Sequence, residues 1–139
     1  MRISLRAGEK IYLNGAVVSV DRKVSLELLN DATFLLEAHV IQAHQATTPL
    51  RQLYFVLQLL MMEPAGADNA RCEADAMFEK LDVAFADPVI GAQLRRVRYA
   101  LELGRLYEAL KTLRGLFPQE DALVRAVPAR TSIREEVNA

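Results

Sequence analysis

"GEKIYLNGAVVSVDRKVSLELLND", Gly8 to Asp31, decides the N-terminal half of the fold. Glu9–Leu13 and Ala16–Val20 are two short runs rich in strand-forming residues, separated by Asn14-Gly15. A type I′ turn needs positive φ at both central positions, which Asn and Gly tolerate, so this dipeptide predicts a hairpin. A two-residue turn also fixes the register. Leu13 falls opposite Ala16, Tyr12 opposite Val17 and Ile11 opposite Val18, which puts Ile11, Leu13, Ala16, Val18 and Val20 on one apolar face. Upstream, Ile3 and Leu5 alternate with Arg2, Ser4 and Arg6, a strand pattern that Gly8 breaks. Downstream, Asp21–Lys23 marks a bend, and Val24, Leu26 and Leu28 alternate with Ser25 and Glu27 in a further strand. Asn30-Asp31 is a second turn. In Ala32–Gln42 a strand is expected over Thr33–Glu37, because Thr and Phe favour sheets, with a helix as the alternative.

The remainder reads as helical. In "TTPLRQLYFVLQLLMMEPAG", Thr47 or Thr48 serves as N-cap, Pro49 sits near the first helical position, and Pro64 with Gly66 stops the helix. Leu50, Leu53, Tyr54, Leu57, Leu60 and Met61 form one stripe. Phe55, Val56, Leu59 and Met62 fill much of the opposite side, so this helix is central or shared with another chain. Asp68–Ala86 predicts a second helix, acidic outside through Glu73, Asp75, Glu79 and Asp82, with Met77, Leu81 and Phe85 inside. Asp87-Pro88 opens a third, striped by Ile90, Leu94, Val97 and Leu101 and ended by Gly104. A fourth covers Leu106–Leu116 and is closed by Phe117-Pro118, with room for a short helical turn beyond Gln119. From Pro128 the chain reads as a frayed tail.

The expected fold is therefore α+β: an antiparallel strand unit over 1–46, a bundle of about four helices over 47–127, and a tail over 128–139. Apolar residues fall on both faces of the strand unit (Tyr12, Val17 and Leu29 against Ile11, Val18 and Leu28), and a small sheet cannot bury both alone, which predicts a homo-oligomer.

The formal net charge is -1, so any polyanion must be held by a local patch rather than by the total. One cysteine, Cys72, cannot form an internal disulfide, and the start has no apolar h-region. The longest apolar run, Leu53–Met62, is shorter than the about 20 residues needed to span a bilayer. A cytoplasmic protein with no membrane association is expected. No phosphate-binding loop, dinucleotide fingerprint or zinc motif is present. His39 and His44 have no third ligand at a fixed spacing, Cys72 has no histidine partner in the pattern, and Glu73, Asp75 and Glu79 read as a solvated face. No enzyme activity, cofactor or metal is expected.

Two basic sets remain. One is Arg2, Arg6, Lys10, Arg22 and Lys23 on the strand unit. The other is "QLRRVRYALELGR", with Arg95, Arg96, Arg98, Tyr99 and Arg105 on and around one helix. Guanidinium forks grip phosphate and a tyrosine stacks on an unpaired base. Solvated charge is the plain alternative for both, and pairing with the acidic second helix is the rival role for the arginine helix.

These residues also carry a resemblance. "LRAGEKIYLNGAV", "DRKVSLELLND" and "TTPLRQLYF" resemble, in order and spacing from Met1 to about Phe117, the FlbT family of flagellum biosynthesis repressors of alphaproteobacteria. The resemblance implies a non-enzymatic, post-transcriptional regulator that associates with the 5′ untranslated region of flagellin mRNA and promotes its decay. It further implies links to a FlaF-like regulator and to flagellin itself. The start is also similar to that of CsrA-type RNA-binding regulators, which have a short strand, an arginine and Gly-Glu before a hairpin, here Ile3, Arg6, Gly8 and Glu9. That second, shorter similarity implies that Arg2, Arg6 and Lys10 read RNA. Two readings follow: an mRNA-binding repressor, or a protein-interaction module that holds flagellin or a FlaF-like partner and touches mRNA only indirectly.

Overall fold

The computed structural model of the chain describes residues 2–30, 33–85 and 87–125. Five strands precede four helices: β1 (Arg2–Leu5), β2 (Lys10–Leu13), β3 (Ala16–Ser19), β4 (Val24–Glu27) and β5 (Phe34–Leu36), then α1 (Pro49–Met62), α2 (Ala67–Ala84), α3 (Pro88–Glu102) and α4 (Leu106–Arg125). The fold is α+β, as the sequence predicts. Asp31, Ala32 and Ala86 of the expected turn, strand and second helix, and the expected tail, lie outside the described residues.

The β2–β3 hairpin has the predicted register, Leu13 opposite Ala16 through Ile11 opposite Val18. Both turn residues take positive φ, 49° at Asn14 and 85° at Gly15. β5 pairs antiparallel with the other edge of β2, giving the order β3-β2-β5. β1 passes over the hairpin to pair with β4 in a separate two-stranded ladder, from Arg2 opposite Glu27 to Leu5 opposite Val24.

The middle sheet is covered on both faces within the chain. Ile3 and Leu5 of β1 form a small core with Ile11 of β2 and Phe34 of β5. On the opposite face Leu35 and Tyr12 enter the core of the helical half. Of the residues whose two-sided placement predicts an oligomer, Ile11 is buried and Tyr12 and Leu28 are partly buried, while Val17, Val18 and Leu29 stay exposed. β3 departs from the expectation: Ala16 and Val18 do not share the burial of Ile11, because β3 is an edge strand that overhangs both layers, and all four of its residues are exposed.

α1 lies centrally, against α2 and α4. Thr48 is its N-cap, accepting from the Arg51 N–H, with Pro49 following. Leu50, Leu53, Tyr54, Leu57 and Met61 are buried as the stripe predicts, while Leu60 is partly exposed. In α2 the buried face is Ala70, Ala74, Phe78 and Leu81. The expected Met77 and Phe85 only flank it. The two alanines bring the backbones close, and the face turns toward Phe78 rather than Met77. α3 buries Ile90, Leu94, Val97 and Leu101 as predicted, capped by Asp87, and ends before Gly104 at φ 74°. α4 corrects the expected stop at Phe117-Pro118, because it runs on to Arg125 with Pro118 inside. A proline removes one helical bond and crowds the preceding turn. Here the turn beyond it is held from outside by contacts to the start of α1.

Two clamps fasten the loop between β5 and α1. Gln58 accepts from the Ile41 N–H at 3.1 Å and donates to the Ile41 carbonyl at 2.6 Å. Tyr54 Oη donates to the His39 carbonyl at 2.6 Å. Phe34 stacks on Tyr107 of α4 with ring centroids 4.4 Å apart. No helix among the described residues is long and apolar enough to cross a membrane.

Candidate nucleic-acid interface

Strand register gathers four of the five basic residues of the strand unit. Arg6 follows Leu5, whose partner is Val24, so Arg6 lies beside Lys23. Lys10 opens β2 opposite Ser19, the last residue of β3. The Gly8 N–H donates to the Val20 carbonyl at 2.7 Å, drawing the β1–β2 turn against the bend that carries Arg22. Arg6, Lys10, Arg22 and Lys23 therefore converge at one end of the unit, all exposed. Arg2 does not join them. It stands at the other end of β1 opposite Glu27, about 13 Å along the strand from Arg6.

Three carboxylates border this end. Glu9 accepts from the Arg6 N–H at 2.8 Å, and Glu37 accepts from the Lys10 N–H at 2.9 Å. Both bind backbone and shape the turns, rather than neutralising the cationic heads. Only Arg22 has an ion pair, with Asp21 at 3.3 Å. Among the described residues, the side chains of Arg6, Lys10 and Lys23 form none.

The α3 set does not form one patch. Arg98 lies over the Phe78 ring of α2, 5.5 Å from its centroid. Arg96 faces the other way and lines a groove of about 490 Å³ between α3 and α4, with Lys111, Gln93 and Gln119. Arg95 lies on the Gly91 side and Tyr99 is exposed. The expected pairing with the acidic helix is not seen. Among the described residues none of the three arginines forms an ion pair, and Asp75 of α2 pairs within its own helix with Arg71 at 3.8 Å. Arg98 uses an aromatic face of α2 in place of a carboxylate.

The most heavily built polar cluster lies elsewhere, where α4 meets the start of α1. Glu120 is 1% exposed. It accepts from the Leu50 N–H at 2.7 Å, from the Thr48 hydroxyl, and from Arg51 Nη1 at 3.4 Å. Arg51 also forks onto Asp121 at 2.7 and 3.0 Å and covers the Phe117 ring at 4.6 Å. The Arg51 hydrogen bond holds the Asp121 carboxyl below the usual carboxylate range, and the same bond raises Arg51. A second cluster joins His39, Tyr54 and Arg114. Arg114 Nη1 donates to Tyr54 Oη at 2.9 Å. Burial raises the Tyr54 phenol against the opposing influence of Arg114. Burial first, and Arg114 second, lower His39. Both clusters cement the fold, since no buried side-chain polar atom among the described residues is left without a partner. The sequence marks only Thr48-Pro49 as a helix start. The partner of that helix end is seventy residues on, beyond local pattern.

A second groove, of about 840 Å³, opens where the strand unit meets the α3–α4 corner. The Phe34–Tyr107 stack forms part of its lining, and Leu29 and Leu103 stand at it 88% and 50% exposed.

Comparison with known proteins follows the same boundaries. The FlbT family, described as flagellar protein FlbT, matches residues 1–124. The chain is 52% identical over 125 residues to the probable flagellum biosynthesis repressor protein FlbT of Chelativorans sp. (strain BNC1), covering 90% of this chain and 86% of that protein. It is 51% identical over 128 residues to the proteins of the same name from Brucella ovis and Brucella abortus (strain S19), covering 92% of this chain and 84% of each. No solved structure matches. A match across both the strand unit and the helices, with half of the residues identical to relatives of similar length, places the chain in the FlbT family of flagellar proteins.

Proposed function

We propose that the protein is a non-enzymatic, cytoplasmic repressor in flagellum biogenesis, acting after transcription. It binds the 5′ untranslated region of flagellin mRNA and promotes decay of that message. The relatives' naming as flagellum biosynthesis repressors supports the repressor role. The observation that carries the RNA contact is the convergence of Arg6, Lys10, Arg22 and Lys23 at one end of the strand unit. With a net charge of -1, such a local patch is what a polyanion requires. The heads of Arg6, Lys10 and Lys23, which form no ion pair among the described residues, are available to phosphate, and the surrounding turns offer backbone groups to splayed bases.

The test is a gel-shift titration of the flagellin leader across a salt series. Arg6→Ala with Lys10→Ala weakens binding and reduces the slope of log affinity against log salt by about 1.4, two single-strand phosphate contacts. Arg2→Ala, at the far end of β1, changes the slope less. If the pair leaves the titration unmoved while Arg95→Ala, Arg96→Ala and Arg98→Ala together abolish binding in a folded protein, the RNA face is α3.

One observation favours the second reading, a module that holds flagellin or a FlaF-like partner. Leu29 and Leu103 stand exposed at a groove beside Arg105 and Lys111. On that reading leader binding by the pure protein is absent, and Leu29→Glu with Leu103→Glu abolishes repression in cells.

A further inference from the structure

We infer that β3 is the pairing edge of a two-fold dimer, in which two copies join antiparallel along Ala16–Ser19 with Val18 on the symmetry axis. β2 has β3 on one side and β5 on the other, and β3 has no strand on its outer side among the described residues. In a two-residue hairpin the residues flanking the turn, Leu13 and Ala16, exchange ladder bonds, and so do Ile11 and Val18. The alternation of the ladder then turns the N–H and C=O of Val17 and Ser19 outward. The bond from Gly8 to the Val20 carbonyl agrees with this phase, since it leaves β3 on the inner side.

This edge lacks the features that normally protect one. It carries no charge, no proline and no bulge. Val17 is 59% exposed on one face and Val18 37% on the other, so both faces of the overhanging strand are bare. A two-fold axis through Val18 sets Val17 opposite the partner's Ser19, twice over. Those two pairs use every outward N–H and C=O of both copies, in four hydrogen bonds. Val18 meets its own copy in a non-hydrogen-bonded pair, where side chains lie closest. The flanking positions agree as well. Val20 falls opposite the partner's Ala16, Asp21 opposite the partner's Gly15, and Arg22 opposite the partner's Asn14, so no like charges face each other. This self-complementarity selects a second copy as occupant over an unrelated strand. The result is one six-stranded sheet. A four-residue junction buries less than the about 1,200 Å² of stable complexes, so dilution dissociates it. The two Lys10 residues, three strand spacings apart, would lie roughly 16 Å from each other on the joined sheet.

Cysteine substitution tests the register, in a Cys72→Ser background because Cys72 is exposed. Under oxidation, Val18→Cys gives a covalent dimer on a non-reducing gel. Val17→Cys does not, because the two copies of position 17 are two register steps apart. Sedimentation from low micromolar to sub-millimolar protein shows a monomer–dimer equilibrium. Val17→Pro, which removes an outward N–H and leaves the ladder to β2 intact, weakens that equilibrium at least tenfold. A protein that stays monomeric throughout the range, crosslinking at position 17 equal to that at 18, or association untouched by Val17→Pro in a protein with native circular dichroism overturns the proposal.

Discussion

Glu120 ties the end of α4 to the start of α1. It is a buried carboxylate that takes the place of the missing preceding turn at the start of α1, receiving the Leu50 N–H, the Thr48 hydroxyl and Arg51. Removing it strands the buried Leu50 N–H, while the half-buried Arg51 keeps its fork onto Asp121. Glu120→Ala is expected to lower stability by about 1–3 kcal/mol, read from the urea midpoint. Glu120→Gln keeps an acceptor for Leu50 and costs less. Acid acts on two other residues in the same direction. The Asp121 carboxyl is held low by Arg51, so its contribution is complete above the ordinary carboxylate pKa and is lost as pH falls through its depressed value. His39 is held low mainly by burial, so the fold prefers the neutral ring, and stability falls as pH drops below about 6.5 toward the folded value. Urea midpoints followed from pH 7 to pH 3 should decline in two stages. His39→Asn flattens the upper stage, leaving the backbone carbonyl bound to Tyr54 in place, and Asp121→Asn flattens the lower. None of these residues was legible beforehand. A charged residue late in the chain reads as solvated surface, and nothing local names a partner seventy positions away.

Among the elements, α1 is the keystone, with Leu57 fully buried between its neighbours. Leu57→Asp is expected to unfold the protein or cost more than about 4 kcal/mol, since the new charge would sit in the apolar core of the helical half. A folded, soluble variant with an unchanged melting temperature contradicts this. The elements were legible to the extent that their signals were local. Asn14-Gly15 specified the hairpin and its register. Thr48-Pro49 and Asp87-Pro88 specified two helix starts, and the period of Ile90, Leu94, Val97 and Leu101 specified a face. The failures share a cause. Pro118 is a local stop signal overruled by distant anchoring of Glu120 and Asp121, and the α2 face shifted because Ala70 and Ala74, apolar but small, determine which side approaches α1. The basic end of the strand unit lies between these cases. Its residues were visible as a set, but the exclusion of Arg2 depends on β1 pairing with β4, which no single segment encodes.

At the scale of the whole molecule, the strand unit and the helices share side chains. Leu35 of β5 sits in the helical core, Phe34 stacks on Tyr107, and Tyr54 and Gln58 of α1 grip the backbone at His39 and Ile41. Unfolding should therefore be a single transition. Far-ultraviolet circular dichroism of the helices and the emission of a fluorophore attached to the strand unit at Ala16→Cys, in a Cys72→Ser background, should give coincident urea curves, and two separated midpoints would mean that the halves melt independently. The tie between Glu120 and Leu50 spans seventy residues, and this separation has a consequence during synthesis. At about 5–20 residues per second, the ribosome needs roughly 4–14 s to add the stretch between them. For that time the start of α1 exists without its carboxylate, beside a strand unit whose own partners, from Arg2 to Leu36, are already made. The nascent chain thus has an interval in which the α4-facing side of an apolar helix is complete but uncovered, a substrate for chaperones that bind exposed hydrophobic segments. The vulnerability belongs to the order of the sequence and not to the stability of the finished fold.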